Sequence, residues 1–128
     1  SKWSGILPDK FIATIVSLVS QQNIQNWVND LAAYHTRHTK SIYINQVATW
    51  LVNKFQSFNY NNVTLHQYSR DGYQLQNVVC TKPGVGNTGQ VIILCGHYDC
   101  CMENLNDATA RAPGADDNAT GIAVMLVP

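Results

Sequence analysis

The chain has 128 residues, of which 45% are hydrophobic and 12% charged, and its formal net charge at pH 7 is zero. This length is enough for one domain with a hydrophobic core, and the low charged fraction argues against disorder. Because the charges balance, the composition gives no reason to expect a nucleic acid or an anionic membrane surface as a partner. No apolar run reaches the roughly 20 residues that a membrane-spanning helix needs.

Three stretches in the first half of the chain repeat apolar residues at helical spacing. They run from Phe11 to Val19, from Gln21 to Tyr34 and from Ser41 to Phe58. The third pattern is the clearest, and its apolar stripe comprises Ile44, Val47, Ala48, Leu51, Phe55 and Phe58. We therefore predict three amphipathic helices.

After these stretches the spacing of apolar residues changes to every second position, which is typical of β-strands. Residues 63–67 and 73–79 alternate apolar with polar side chains, and Asp71-Gly72 between them favours a two-residue hairpin turn. The run Val91–Cys95 is continuously apolar and rich in β-branched residues, which predicts a strand buried on both faces. Residues 102–112 are mostly small or polar and predict a loop, whereas 118–127 predicts a helix. The sequence thus predicts an α/β domain in which N-terminal helices precede a mixed β-sheet.

An imidazole and a carboxylate directly follow the predicted strand. Open α/β folds bind ligands at the carboxyl ends of their strands, and side chains two residues apart on a strand share a face. A metal-binding histidine usually donates its second ring N–H to a carboxylate or carbonyl. We therefore interpret His97 as a metal ligand and Asp99 as its hydrogen-bond partner. The alternative is an ordinary hydrogen-bonded histidine at the end of a strand.

A second acidic motif, Asp116-Asp117-Asn118, follows the turn at Pro113-Gly114 and precedes the last predicted helix. Carboxylate oxygens bind zinc, and one carboxylate with two oxygens can touch two ions. Asp117 is the candidate ligand, although an aspartate here could instead cap the helix. Asn118 or Asp116 could also serve as the cap, so the two roles are compatible. Asp116 is either a supporting residue of the site or purely structural.

Together the two motifs resemble the M28 peptidase family of two-zinc aminopeptidases, and among them the secreted bacterial leucyl aminopeptidases. The resemblance is carried by Gly96-His97-Tyr98-Asp99 and by residues 113–121. It implies that His97 binds one zinc ion, that Asp99 is the catalytic-site carboxylate that orients His97, and that Asp117 bridges two zinc ions. It also implies a peptide substrate with a free and plausibly apolar N-terminal residue, and a secreted or periplasmic location.

The resemblance further implies a fold and a domain organisation. Residues 1–128 are expected to be the N-terminal portion of a single M28-like peptidase domain. This portion is expected to form the first part of the three-layer α/β/α, phosphorylase/hydrolase-like fold of zinc-dependent exopeptidases.

Several site residues of the family have no counterpart in this sequence. The family supplies a Glu-Glu pair, a further acidic ligand and a late histidine, whereas the single glutamate here, Glu103, precedes the second motif. We therefore expect this chain alone to be inactive and to bind metal weakly. We also expect its apolar sheet face to be covered by the missing C-terminal half of the domain or by a second copy.

Two alternative functions stay open. One is a glutaminyl-peptide cyclotransferase, a one-zinc acyltransferase on a similar scaffold. Such enzymes resemble this chain at the first motif, but the sequence of their second motif differs from the one found here. The other is a non-enzymatic relative that serves as a binding module.

The remaining histidines and the cysteines are weaker candidates. His35, His38 and His66 lack a ligand pattern, and the first two are expected with Arg37 and Lys40 at the end of a helix, where cations complement the helix dipole. Cys100 stands where the family often has serine, so the resemblance gives it no role as ligand or nucleophile. Disulfide pairing stays open for four cysteines, namely Cys80, Cys95, Cys100 and Cys101.

Overall fold

The structure is a computed structural model that describes residues 9–86 and 89–127. Its elements are α1 (Lys10–Ser17), α2 (Gln21–Ala32), α3 (Ile44–Ser57), β1 (Val63–Arg70), β2 (Tyr73–Cys80) and α4 (Gly121–Met125). A short helical turn, Ala115–Thr120, directly precedes α4. The combination of helices and a sheet agrees with the predicted α/β class.

Two of the predicted helices begin at side-chain caps. The carboxylate of Asp9 accepts a hydrogen bond from the backbone N–H of Phe11 at 2.7 Å, and the hydroxyl of Ser20 accepts one from Asn23 at 3.2 Å. Such caps satisfy backbone donors that have no partner within the helix. α1 nevertheless buries none of its residues, and Phe11 is 71% exposed.

The predicted hairpin is confirmed. β1 and β2 pair antiparallel from Val63 opposite Cys80 to Arg70 opposite Tyr73. Asp71 and Gly72 connect them with φ angles of 52° and 80°, which are the positive values that this two-residue turn requires. The glycine at the second position adopts its angle without a steric penalty.

The hydrophobic core joins the helices to the second acidic motif. α2 and α3 contribute four buried residues, which are Trp27, Leu31, Val47 and Leu51. Ala119, Ile122, Ala123 and Leu126 pack against them from the segment that follows Asp117. Burial of apolar side chains is the main favourable term in folding, so this packing fixes the second motif to the helical part of the molecule.

The prediction of a buried strand at Val91–Cys95 is wrong. No strand in the described part of the chain pairs with these residues, and Val91, Ile92, Ile93 and Leu94 are 74–90% exposed. A β-strand needs a neighbour to satisfy its backbone groups. The described sheet consists of β1 and β2 alone and is antiparallel, so the prediction of a mixed sheet is not confirmed.

Two further predictions concern the second half of the chain. Residues 102–112 form neither a helix nor a strand, as predicted for a loop. The last helix is shorter than predicted, because α4 begins at Gly121 and ends at Met125. Over residues 9–86 and 89–127, no helix is long and apolar enough to cross a membrane.

Candidate metal centre

His97 lies between two carboxylates. Its Nδ1 atom is 3.2 Å from Oδ1 of Asp99, and its Nε2 atom is 3.1 Å from Oδ1 of Asp117. Nδ1 also lies 3.1 Å from the backbone carbonyl oxygen of Asp99. The structure thus brings together the three residues that the sequence analysis selected, with the two carboxylates at opposite ring nitrogens. Their roles in metal binding stay predictions.

The carboxylate of Asp117 is the most open part of this group. Its side chain is 87% exposed, compared with 55% for His97 and 41% for Asp99. The backbone at Asp117 and Asn118 departs from helical angles, and the peptide bond between these residues is cis. In the same segment Ala119, two residues after the exposed carboxylate, is buried.

Asn118 connects the two motifs. Its side-chain nitrogen donates to the carbonyl oxygen of His97 at 3.3 Å, and its side-chain oxygen accepts from the backbone N–H of Gly121 at 3.1 Å. The second bond satisfies the backbone donor of the first residue of α4. Among Asp116, Asp117 and Asn118, it is therefore the Asn118 side chain that accepts from this helix. Asp117 remains available as a ligand.

Tyr98 fixes the first motif to the hairpin. Its hydroxyl donates to the backbone carbonyl of Gln76 in β2. Burial, followed by the nearby Tyr68 and Asp99, raises the pKa of the Tyr98 phenol to about 12. The phenol therefore remains protonated at neutral pH and can keep donating this bond.

The segment 35–38 contacts both motifs, which the sequence analysis did not anticipate. α2 ends at Ala32, so His35, Arg37 and His38 do not lie at the end of that helix, and that prediction is wrong. Instead, Thr36 forms a β-bridge with Ala112 beside the Pro113-Gly114 turn. A short extended segment of this kind cannot be predicted from four mostly polar residues, because the residue that it pairs with lies far away along the chain.

Arg37 is the principal residue that the sequence analysis missed. Its side chain is fully buried. Nε donates to the carbonyl of Tyr98 at 2.9 Å, and Nη2 donates to that of Gly114 at 2.9 Å. Nη1 donates to Leu31 at 2.9 Å and also to Pro113. The only sequence signal was an arginine between two histidines, which is equally typical of an exposed basic patch.

Cys100 is buried beside Arg37. Its thiol donates to the carbonyl of Ala112 at 2.8 Å and accepts from the backbone N–H of Arg37 at 3.3 Å. Burial raises the pKa of this thiol, which the neighbouring Arg37 partly opposes. These contacts are structural. All four cysteines are free thiols in this structure, so it contains none of the disulfides that were left open.

The other candidate residues lie outside the group. The ring nitrogen Nε2 of His35 is 3.0 Å from the carbonyl of Thr109, and that of His38 is 3.0 Å from the carbonyl of Leu105. His66 stacks on Tyr68 in β1. Asp116 is exposed, and its backbone carbonyl accepts from the Thr120 hydroxyl at 2.7 Å.

The His97–Asp117 pair fits part of a zinc site. With zinc–ligand bonds of about 2.0–2.2 Å, two ligand atoms of a tetrahedral ion lie roughly 3.4 Å apart, and Nε2 of His97 lies 3.1 Å from Oδ1 of Asp117. Asp99 at Nδ1 is the kind of partner that fixes the tautomer of a metal-binding histidine. Within the described ranges, however, no cluster of three or more His, Cys, Asp or Glu residues could hold a metal ion.

Comparison with known proteins finds the same family that the two motifs resemble. Residues 77–127, which include both motifs, match Peptidase family M28. The resemblance predicted from the motifs is therefore confirmed. The match begins in β2 and ends after α4, so it covers the part of the chain that carries His97, Asp99 and Asp117.

Individual relatives extend the similarity over most of the chain. Leucine aminopeptidase 1 of Trichophyton equinum is 29% identical over 121 residues, which cover 90% of this chain and 31% of the relative. A probable zinc metalloprotease of Pyrenophora teres f. teres is 31% identical over 142 aligned residues, covering 94% of this chain and 30% of the relative. The chain thus spans about a third of the length of these relatives.

Proposed function

From the match of residues 77–127 to Peptidase family M28, we propose that this chain is the N-terminal part of a zinc-dependent aminopeptidase domain. The observation that carries the proposal is the placement of the His97 ring between Asp99 and Asp117. The names of the relatives, leucine aminopeptidase and zinc metalloprotease, support the same reaction class. The complete domain would have the three-layer α/β/α hydrolase fold.

Each of the three residues has a distinct role in this proposal. His97 would hold a zinc ion through its ring, and Asp99 would keep that ring in the required orientation and tautomer. Asp117 would supply a carboxylate ligand, which suits a two-zinc site. When bound, zinc polarises the carbonyl of the scissile peptide bond and lowers the pKa of water.

The remaining parts of the proposal concern the substrate, the location and the partner. The substrate is a peptide with a free, apolar N-terminal residue, and the protein acts in a secreted or periplasmic location. The exposed run Val91–Leu94 supports a covering partner, because large exposed apolar patches mark interaction sites. That partner is the C-terminal remainder of the domain or a second copy. Alone, this chain is inactive.

The proposal is tested with the full polypeptide that contains this sequence. Zinc content and hydrolysis of leucine p-nitroanilide are measured for the wild type and for the variants His97→Ala and Asp117→Ala. His66→Ala is the matched control, because His66 is exposed on β1 and forms no described hydrogen bond or ion pair with His97, Asp99 or Asp117. We expect both site variants to lose zinc and activity while the control keeps them.

Two other results would contradict this function. Release of ammonia from a peptide with N-terminal glutamine, without hydrolysis of the leucine substrate, would indicate a cyclotransferase. A folded wild-type protein that binds no zinc and has neither activity would indicate a binding module.

A further inference from the structure

Arg37 is completely buried and forms no ion pair with the described part of the chain. Its side chain is 0% exposed, and no described carboxylate forms an ion pair with it. Buried charges are normally paired or bind metals, because their transfer from water is costly. Among the described residues, the guanidinium donates to backbone carbonyl oxygens, which belong to Leu31, Tyr98, Pro113 and Gly114.

These carbonyls belong to three different segments, two of which are the motifs of the candidate site. Tyr98 stands between His97 and Asp99, and Pro113-Gly114 forms the turn that leads to Asp117. Leu31 lies in the last turn of α2, whose carbonyl end carries partial negative charge. One guanidinium therefore links both motifs to a packed helix.

The geometry of arginine matters for this arrangement. A guanidinium offers five N–H donors in a rigid planar fork, whereas the ammonium of lysine donates from a single atom. The contacts at Nε, Nη1 and Nη2 point to separate segments. A lysine could therefore keep the charge but could not hold all of these segments at fixed separations.

The backbone of Arg37 adds to the same connection. The N–H of Cys100 donates to the carbonyl of Arg37 at 3.2 Å, and the Arg37 N–H donates back to the Cys100 sulfur at 3.3 Å. Gly114 is packed against this assembly, because a Cβ atom there would lie 2.7 Å from Nη2 of Arg37. The contacts leave the two motifs little freedom to separate.

We propose that Arg37 is a positioning residue that holds the His97 and Asp117 segments at the separation required for a shared metal ion. This inference rests on the proposed zinc-dependent function. Arg37 contacts neither His97 nor Asp117 through a hydrogen bond or an ion pair, so it acts through the backbone of their neighbours.

The test compares Arg37→Lys and Arg37→Met with Ile44→Ala in the full polypeptide. Ile44 is buried in α3 but does not belong to the core cluster that packs on residues 119–126, so its truncation serves as a control for lost stability. Zinc affinity is measured by competition with a chromophoric chelator, and stability by thermal unfolding of the zinc-free protein. Cobalt substitution adds a visible spectrum that reports coordination geometry.

We expect both Arg37 variants to lower zinc affinity about 10–100-fold, as loss of a residue that orients ligands does in metal sites, and to change the cobalt spectrum. Ile44→Ala, at a comparable loss of stability, should leave the affinity and the spectrum unchanged. Equal zinc affinity and identical spectra for Arg37→Lys and the wild type would overturn the inference.

A measurement on the wild type covers the case in which the Arg37 variants do not fold. With arginine labelled at Nε, the Arg37 Nε–H resonance should shift and exchange more slowly with solvent when zinc is added. An unchanged resonance in a protein that binds zinc would overturn the inference while leaving the proposed function intact. A wild-type protein that binds no zinc would instead contradict the proposed function.

Discussion

The Nε2 atom of His97 lies 3.1 Å from Oδ1 of Asp117, although the two residues belong to different segments of the chain. The first segment follows the exposed run Val91–Leu94, and the second is the helical turn that leads into α4. Neither segment could fix this distance alone. The core packing of residues 119–126 and the carbonyl contacts of Arg37 do so together.

The first prediction concerns the support of the His97 ring. Asp99→Asn should lower zinc affinity about 10–100-fold, because an amide is a weaker acceptor than the carboxylate that now lies 3.2 Å from Nδ1. Competition with a chromophoric chelator measures the change. Asp30→Asn on the exposed side of α2 is the matched control. Equal losses of zinc affinity in the two variants would mean that Asp99 has no specific role in holding His97.

The elements that depend on local sequence could be predicted. The stripes of α2 and α3 and the Asp71-Gly72 turn are set by side chains close together in the chain, and the structure has these elements where the patterns put them. The nearness of His97 to Asp99 was predictable for the same reason. The contact between the two motifs was expected from the family resemblance.

The remaining features depend on distant partners. Val91–Leu94 has the composition of a buried strand, but backbone pairing decides whether a strand forms, and no described strand pairs with it. The prediction failed in the opposite direction at Arg37. Its sequence context is typical of an exposed residue, but its side chain is completely buried. Its burial depends on carbonyls that come from Tyr98 and Gly114, far away in sequence.

The second prediction concerns the Pro113-Gly114 turn. Gly114→Ala should destabilise the protein by at least about 3 kcal/mol, because it combines a positive φ with severe overlap. The φ angle is 53°, and a Cβ atom would lie 2.5 Å from Cβ of Cys100 and 2.7 Å from the Asp117 carbonyl oxygen. Denaturant-induced unfolding measures the free energy.

Gly72→Ala is the control for the φ angle alone. Gly72 has a φ of 80°, but a Cβ atom added there would have nothing within 4 Å, so the substitution should cost only about 1–2 kcal/mol. The difference between the two variants isolates the steric overlap at Gly114. Equal losses of unfolding free energy in the two variants would show that the turn does not pack against Cys100 as described.

The third prediction concerns the thiols. Cys100 is 5% exposed, and burial raises its pKa, whereas Cys95 and Cys101 are exposed. Because the thiolate is the reacting form, Cys100 should be alkylated by iodoacetamide at pH 8 at least about tenfold more slowly than either exposed thiol. Pulse alkylation with mass spectrometry measures the rates. In denaturant all the rates should converge, and fast modification of Cys100 in the folded protein would contradict its burial.

The last prediction is that the 128-residue chain alone binds zinc weakly and does not hydrolyse leucine p-nitroanilide. A catalytic zinc normally has three protein ligands, whereas this chain offers His97 and Asp117, and no described cluster contains three candidate ligands. Two ligands leave most of the coordination to water, which lowers both affinity and geometric control. A positioned general base, typically worth about 10²–10⁴-fold in rate, is also not assigned to any residue here.

Calorimetric titration with zinc and the hydrolysis assay should be run on the isolated chain and on the full polypeptide side by side. We expect only the full polypeptide to bind zinc tightly and to hydrolyse the substrate. A chelator should abolish both properties, and added zinc should restore them. His97→Ala in the isolated chain should remove the weak binding that remains, because it deletes one of the two ligands. Tight zinc binding or sustained turnover by the isolated chain would show that it contains ligands beyond His97 and Asp117.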